Sequence, residues 1–379
     1  MNLKEKSEKT YKGIYGLEIT TTNSCNYNCS YCFERNHILE ENLLDAKIII
    51  KRVKELLNSE WFQEQYSGLK IILWGGEPTM NMPLCLSLME AFRQNERVCF
   101  FIYTNGSTMN HLIPTLRRLK DQPFIKPNQS KITVQVSYDG QPIHDMNRLN
   151  KKGMGTSKAC LDAISLLHKY DIDYGLKATM SWGDFSFLPM AWDDFEKLHE
   201  TYGPKIKYSL TVDYYDVKFS INKNVVKRVL IQVAQREIRF YKKYGYHLSN
   251  IFRKRKAFCA TGKGMAAINT DGNVFVCHGA IYSKYSEKLQ YTNIFDKNFI
   301  NSIRWSNGFY QDNHFEPDEC KNCIATSCLR CNVKKFENSK KETHLDKWYD
   351  YTAQEDLCRY YKLVGKIGAA IGSIIKKGE

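Results

Sequence analysis

Over the first 215 or so residues, short apolar runs alternate with longer stretches whose apolar positions recur at helical spacing. Tyr15–Thr21, Lys70–Trp74, Cys99–Thr104, Lys131–Ser137, Asp173–Met180 and Ile206–Asp213 read as strands. Between them, Leu43–Leu57 puts Leu44, Ile48, Val53 and Leu57 near one stripe of a helix. Gly153–Tyr170 predicts a second helix, starting at Thr156 or Ser157 and burying Leu161, Ile164 and Leu167. Strand–helix alternation implies a parallel sheet. Six such units fit an α/β fold of partial (β/α)6, TIM-like barrel type, with its active site at the C-terminal strand ends. An open doubly wound sheet is the alternative. A long amphipathic helix follows from about Ser220 to Tyr246, then a basic linker near Arg253. The final third is rich in cysteine, with weak strand signals at Ala266–Ile268 and Val274–Val276 and a turn at Asp271-Gly272. It reads as a small metal-stapled domain whose core is too thin to stand alone. The pattern divides the chain into a polar segment (1–14), the barrel (15–215), a helical bridge with linker (216–256) and the cysteine-rich domain with its tail (257–379).

Composition narrows the class. At 379 residues, 43% hydrophobic and 25% charged, the chain suggests roughly two globular domains. No apolar run approaches the roughly 20 residues a membrane span needs, and Gly365–Ile375 is short and broken by glycine. Met1–Lys12 has no apolar core of a signal peptide. The expectation is a cytoplasmic protein with no membrane partner. A net charge of +14 invites a nucleic-acid reading, yet apart from Arg253-Lys254-Arg255-Lys256 and Lys376-Lys377 the basic residues are spread along the chain. An acidic partner or a peptide explains the charge at least as well. Thirteen cysteines without a secretory signal are not a disulfide framework. Cys85, Cys99 and Cys160 lie inside apolar patterns and are expected in the core. The others are clustered, as metal ligands are.

The first strand runs into Thr22-Asn23-Ser24-Cys25-Asn26-Tyr27-Asn28-Cys29-Ser30-Tyr31-Cys32-Phe33-Glu34, spaced C-x3-C-x2-C. Three thiolates on one tight loop can bind three irons of a cubane and leave the fourth open. Structural zinc takes four protein ligands, and only His37 is near enough to supply the fourth. The second strand ends in Gly75-Gly76-Glu77-Pro78-Thr79, where glycines admit close backbone approach and a carboxylate can accept from an ammonium group. Tyr103-Thr104-Asn105-Gly106 follows the third strand, and Ser137-Tyr138-Asp139-Gly140 through His144-Asp145-Met146-Asn147-Arg148 follows the fourth.

The cysteine loop, with Tyr31 before its last cysteine, resembles the signature of the radical S-adenosylmethionine superfamily. The resemblance implies a [4Fe–4S] cluster on Cys25, Cys29 and Cys32, whose open iron is chelated by the cofactor's methionine nitrogen and carboxylate. One electron then splits the sulfonium to a 5'-deoxyadenosyl radical that abstracts hydrogen from a substrate. It implies further that Tyr31 lies beside the adenine and that Gly75, Gly76, Glu77 and Pro78 form the Gly-Gly-Glu-Pro turn, with Glu77 accepting the methionine amino group. The stretch from Ser137 to Arg148 resembles the Ser-x-Asp-Gly…His-Asp-x-x-Arg pattern of enzymes that modify peptides and proteins, including anaerobic sulfatase-maturating enzymes. Ser137 and Arg148 would then contact the cofactor carboxylate and Asn105 its ribose. His144 and Asp145 read as a structural pair.

In the final third, Cys259 and Cys277 are spaced C-x12-G-x4-C, followed by Cys320-x2-Cys323-x4-Cys328-x2-Cys331 and Cys358. Only four residues separate the two C-x2-C pairs, against roughly 15–20 in a zinc ribbon. The array resembles the SPASM domain, which holds two auxiliary [4Fe–4S] clusters, although the later gaps are each one residue shorter than usual. By position, Cys320, Cys323, Cys328 and Cys358 would hold one cluster. Cys259, Cys277 and Cys331 would hold the other with a fourth ligand missing. His278 stands where sulfatase-maturating relatives carry an aspartate base. It is a candidate base or iron ligand, with a surface or supporting histidine as the plain alternative.

These resemblances imply an oxidoreductase that modifies a side chain of a peptide or protein, by crosslinking or oxidation. Maturation of a sulfatase Ser or Cys and action on a small molecule are the alternatives. The expected electron donor is a flavodoxin- or ferredoxin-like protein. About fourteen residues precede the first strand, so leader recognition is expected to rest on a separate protein or another surface.

Overall fold

The structure is a computed structural model that describes residues 12–34, 43–206, 208–213, 219–252, 264–312, 323–325, 328, 333 and 355–376. Six parallel strands come first: β1 (Gly13–Thr20), β2 (Tyr66–Trp74), β3 (Val98–Thr104), β4 (Ile132–Ser137), β5 (Asp173–Met180) and β6 (Tyr208–Val212). They lie side by side in chain order. A doubly wound sheet reverses its strand order at a switch point; these six strands never do, as in a partial barrel.

Side-chain alternation decides which face meets the helices. Tyr15, Leu17 and Ile19 of β1 and Leu69, Ile71 and Leu73 of β2 are buried in one apolar cluster with Ile49, Val53 and Leu56 of the helix Ala46–Asn58. That helix begins after Leu44, because the Asp45 side chain accepts from the Lys47 backbone N–H and caps it. The helix Ser157–Lys169 starts where expected and buries Ile164 and Leu167. Leu161 is only half-buried, and the fully buried place on that turn belongs to Cys160. Cys85 and Cys99 are buried as well.

The sheet continues beyond β1. β7 (Met265–Ile268) pairs parallel with β1, and β8 (Asn273–Phe275) and β9 (Gln290–Asn293) extend it antiparallel, giving nine strands. The turn between β7 and β8 needs Gly272: its φ is +81°, and a Cβ there would lie 2.7 Å from Ile294 Cγ2. Across the barrel, the helix Phe219–Tyr244 packs against Leu188–Tyr202, fastened by Arg236 on Asp193 at 2.7 and 2.9 Å, and against the helix Glu355–Lys376. No helix among the described residues is long and apolar enough to cross a membrane. Cys259, Cys320, Cys331 and the basic run at Arg253 lie outside the described residues.

Ile71 is 0% exposed at the centre of the sheet, whereas Leu43 is 58% exposed. Ile71→Ala should lower the unfolding free energy by roughly 2–5 kcal/mol and Leu43→Ala by less than about 0.5 kcal/mol. Denaturant titration separates the two; equal costs would contradict this placement of the core.

Candidate cofactor site at the strand ends

The loop from Thr21 to Glu34 leaves the C-terminal end of β1 and is fastened to the ends of three other strands. Toward β2, Gly76 N–H donates to Thr22 O at 3.0 Å and Glu77 N–H to Ser24 O at 2.9 Å. Toward β3, Asn105 Nδ2 donates to Asn26 Oδ1 at 2.8 Å, and Asn26 Nδ2 to Ser107 Oγ at 2.9 Å. Beyond β4, Asn28 N–H donates to Leu149 O at 2.7 Å and Ser30 N–H to Asn147 O at 2.9 Å. The paired glycines are explained by this closeness. A Cβ on Gly75 would sit 2.3 Å from Thr22 O, and one on Gly76 2.4 Å from Ser24 O. What approaches these glycines is the cysteine loop itself.

Cys25, Cys29 and Cys32 are half-buried thiols outside any disulfide, and Cys32 N–H closes a turn on Cys29 O at 3.2 Å. Burial pushes the Cys25 thiol up to about 12, and Cys29 is raised for the same reason, with the Arg148 charge opposing. Among the described residues no three His, Cys, Asp or Glu side chains converge as the ligands of a single metal ion do. A cubane spreads its thiolates over separate corners. Three thiols on one closed loop, none in a disulfide and the middle one beside a guanidinium, suit a cluster with one open iron better than a four-ligand zinc site.

Glu77 is 1% exposed and already bonded. Its carboxylate accepts from Asn105 N–H at 2.6 Å, Thr104 Oγ1 at 2.8 Å, Thr79 Oγ1 at 2.5 Å and Thr79 N–H at 3.3 Å. Burial raises its pKa, and these donors work against that rise. Glu77 therefore joins the ends of β2 and β3, and Pro78, buried, begins the short helical turn it caps.

Asp139 is the acceptor around which the β4 end is organised. It is 0% exposed and takes Arg148 Nε at 2.8 Å, Arg148 Nη2 at 3.2 Å, Thr179 N–H at 2.8 Å and the Tyr31 hydroxyl. Arg148 lies over the Tyr31 ring, 5.3 Å from its centroid. Ser137 ends β4, half-buried. His144 and Asp145 do not bond each other. His144 accepts from Asp139 N–H through Nδ1 at 3.3 Å and meets Thr156 Oγ1 through Nε2 at 3.1 Å, while Asp145 accepts from Ser157 and Gln141. Burial lowers His144 to about 4, so its ring is neutral.

His278 follows β8 and reaches the barrel through Glu18, whose two oxygens accept from its backbone N–H and bond its Nδ1, each at 2.8 Å. Glu18 is 2% exposed on β1, and the His278 side chain is 42% exposed. Burial opposes protonation of His278, but Glu18 outweighs it and raises the pKa. The ring stands 4.7 Å from Trp74, in an aromatic wall with Phe33 and Tyr282. Cys277 is buried, and Cys323, Cys328 and Cys358 are half-buried. Glu18 and Asp139 were missed as site residues. Glu18 carried a signal, a carboxylate in the middle of an apolar strand.

Gly76→Ala should cost several kcal/mol or block folding, because the atoms in the way are backbone carbonyls that cannot swing aside. Gly153→Ala, with nothing within 4 Å of the added carbon but φ at +77°, should cost only about 1–2 kcal/mol. Thermal melts of the two compare them, and a milder Gly76 variant would contradict the packing of the loop.

Residues 19–183 match the profile of the Radical SAM superfamily. An uncharacterized protein of Methanocaldococcus jannaschii is 24% identical over 270 residues, 70% of this chain and 85% of its own length. A serine-type anaerobic sulfatase-maturating enzyme of Bacteroides thetaiotaomicron is 25% identical over 164 residues, 41% of this chain and 37% of its own. The radical SAM cyclopropyl synthase TigE of Paramaledivibacter caminithermalis is 21% identical over 300 residues, 72% of this chain and 59% of its own. The solved structure of anSMEcpe with bound AdoMet shares the fold at a TM-score of 0.72 and 17% identity, covering 96% of both chains. From β1 to just past β5, where the cysteine loop and the turns that hold it are found, this chain carries a domain of the Radical SAM superfamily.

Proposed function

We propose that this chain is a radical S-adenosylmethionine enzyme that abstracts hydrogen from a side chain within a peptide or protein. The superfamily implies S-adenosylmethionine and a [4Fe–4S] cluster, which together supply a 5'-deoxyadenosyl radical when bound. The observation that carries the reading is the convergence of the Thr21–Glu34 loop, the Gly75–Thr79 turn and the Ser137–Arg148 segment at the ends of β1, β2 and β4, the loop being bonded to both of the others. In this reading Cys25, Cys29 and Cys32 hold the cluster. Glu77 faces the cofactor's amino group while its other bonds hold the turn. Asn105 serves the ribose, Tyr31 flanks the adenine, and Ser137 and Arg148 meet the carboxylate, Arg148 through Nη1, the nitrogen Asp139 does not take.

A polypeptide substrate is favoured by the relatives. The sulfatase-maturating enzyme and TigE are among them, and an anSMEcpe structure with a Cp18Cys peptide shares the fold at a TM-score of 0.69. The seven cysteines from Cys259 to Cys358 are assigned to two auxiliary clusters in a SPASM-type domain over 257–379. His278, held by Glu18 at the barrel mouth, is the candidate base or cluster ligand. The +14 charge favours an acidic flavodoxin- or ferredoxin-like donor, and cysteine usage favours the cytoplasm.

Anaerobically reconstituted protein should carry about three [4Fe–4S] clusters. Changing Cys25, Cys29 and Cys32 to Ala should remove about one third of the iron and all S-adenosylmethionine cleavage; zinc, or intact cleavage, would refute the assignment. Glu77→Ala should weaken cofactor binding by roughly 1.5–3 kcal/mol with iron content unchanged, read by equilibrium binding. His278→Ala should cut substrate turnover while uncoupled deoxyadenosine release survives, and full turnover would return His278 to a supporting role. The substrate is tested by mass spectrometry of a peptide or protein co-expressed from a neighbouring reading frame. A defined mass change supports the reading, and alteration of a free metabolite alone refutes the polypeptide substrate. Turnover with flavodoxin should fall as ionic strength rises, and a salt-independent rate would remove the charge argument.

A further inference from the structure

Cys29 and Arg148 are held directly opposite each other. The residues on either side of Cys29, Asn28 and Ser30, donate to the residues on either side of Arg148, Leu149 and Asn147, at 2.7 and 2.9 Å. Two crossing bonds of this kind leave little freedom in the register, so the middle thiol of the loop faces the guanidinium. Arg148 is fixed from three sides. Asp139 takes Nε and Nη2 at 2.8 and 3.2 Å, and the Tyr31 ring lies beneath at 5.3 Å. Its carbonyl accepts from Thr156 Oγ1 at 2.7 Å, and that hydroxyl in turn meets the neutral ring of His144. Arg148 is 8% exposed and Asp139 0%, so water screens neither charge.

We infer that Arg148 and Asp139 are a paired positioning and electrostatic device for the Cys29 corner of the iron–sulfur cluster, with Arg148 stabilising the electron the cluster accepts and Asp139 limiting how much of that charge is felt. The inference rests on the proposed cluster assignment. Its logic is Coulombic: the reduced cluster is one charge more negative, so a fixed cation at the near position favours reduction and a fixed anion just behind it disfavours reduction. Asn is isosteric with Asp and, with its oxygen in the Oδ2 place, still accepts from Arg148 Nε and Tyr31, while its amide nitrogen faces Arg148 Nη2 and Thr179 N–H and gives up those two bonds.

The test is an EPR-monitored redox titration of reconstituted protein without S-adenosylmethionine, following the signal that disappears when Cys25, Cys29 and Cys32 are changed to Ala. Arg148→Gln should shift the midpoint potential down and Asp139→Asn should shift it up, while Arg148→Lys should stay nearer the wild type than Arg148→Gln. A merely structural role would move both charge-removing variants the same way. Shifts of one sign in both, or no upward shift in Asp139→Asn, would overturn the inference. If Arg148→Gln assembles no cluster, the upward shift in Asp139→Asn decides alone. A signal that survives in the triple cysteine variant would refute the cluster assignment itself, a result distinct from failure of the charge pair.

Discussion

The site depends on the close fit of one loop against the ends of its neighbouring strands. Thr22 and Ser24 carbonyls accept from Gly76 and Glu77, and the approach is so tight that even a methyl group on either glycine would overlap backbone. The loop that carries the three thiols is thereby held by backbone and amide bonds to its neighbours. Such pre-organisation matters because ordering a free loop at the moment of binding would cost roughly 1–2 kcal/mol per residue in backbone entropy. The order is bought instead during folding, when the sheet sets the spacing of the strand ends.

Two carboxylates extend the same device inward. Glu77 joins β2 to β3 through Thr104 and Asn105, and Asp139 joins β4 to β5 and to the cysteine loop through Thr179, Arg148 and Tyr31. Burying a carboxylate is costly unless its lone pairs are met, and both are met several times over. A third, Glu18, connects β1 to the segment carrying Cys277 and His278. Because β7 also pairs with β1, the described cysteine-rich region continues the barrel's own sheet. The chemistry proposed for His278 thus depends on a residue seven positions before the first cysteine of the loop.

The strands were legible because their apolar face is regular, and all six came out within a few residues of their expected limits. The cysteine loop was legible because spacing alone restricts what three thiols can hold. Long-range pairings were not. The juxtaposition of Glu18 and His278, 260 residues apart, is set by β7 docking on β1, which no local pattern announces. His144 and Asp145, read as a pair from adjacency, bond different partners because consecutive residues of a helical turn point in different directions. The glycines of the second strand end, read as room for a ligand, are room for the chain itself.

The central claim is that the Cys25–Cys32 loop presents a cluster with one open iron to the methionine end of S-adenosylmethionine. Electron–nuclear double resonance on the reduced, reconstituted protein with S-adenosylmethionine carrying 15N at its amino group tests this most directly. The account predicts a hyperfine coupling between that nitrogen and the cluster spin, lost in the Cys25, Cys29 and Cys32 to Ala variant. An intact cluster signal with no coupling to the labelled nitrogen would contradict it.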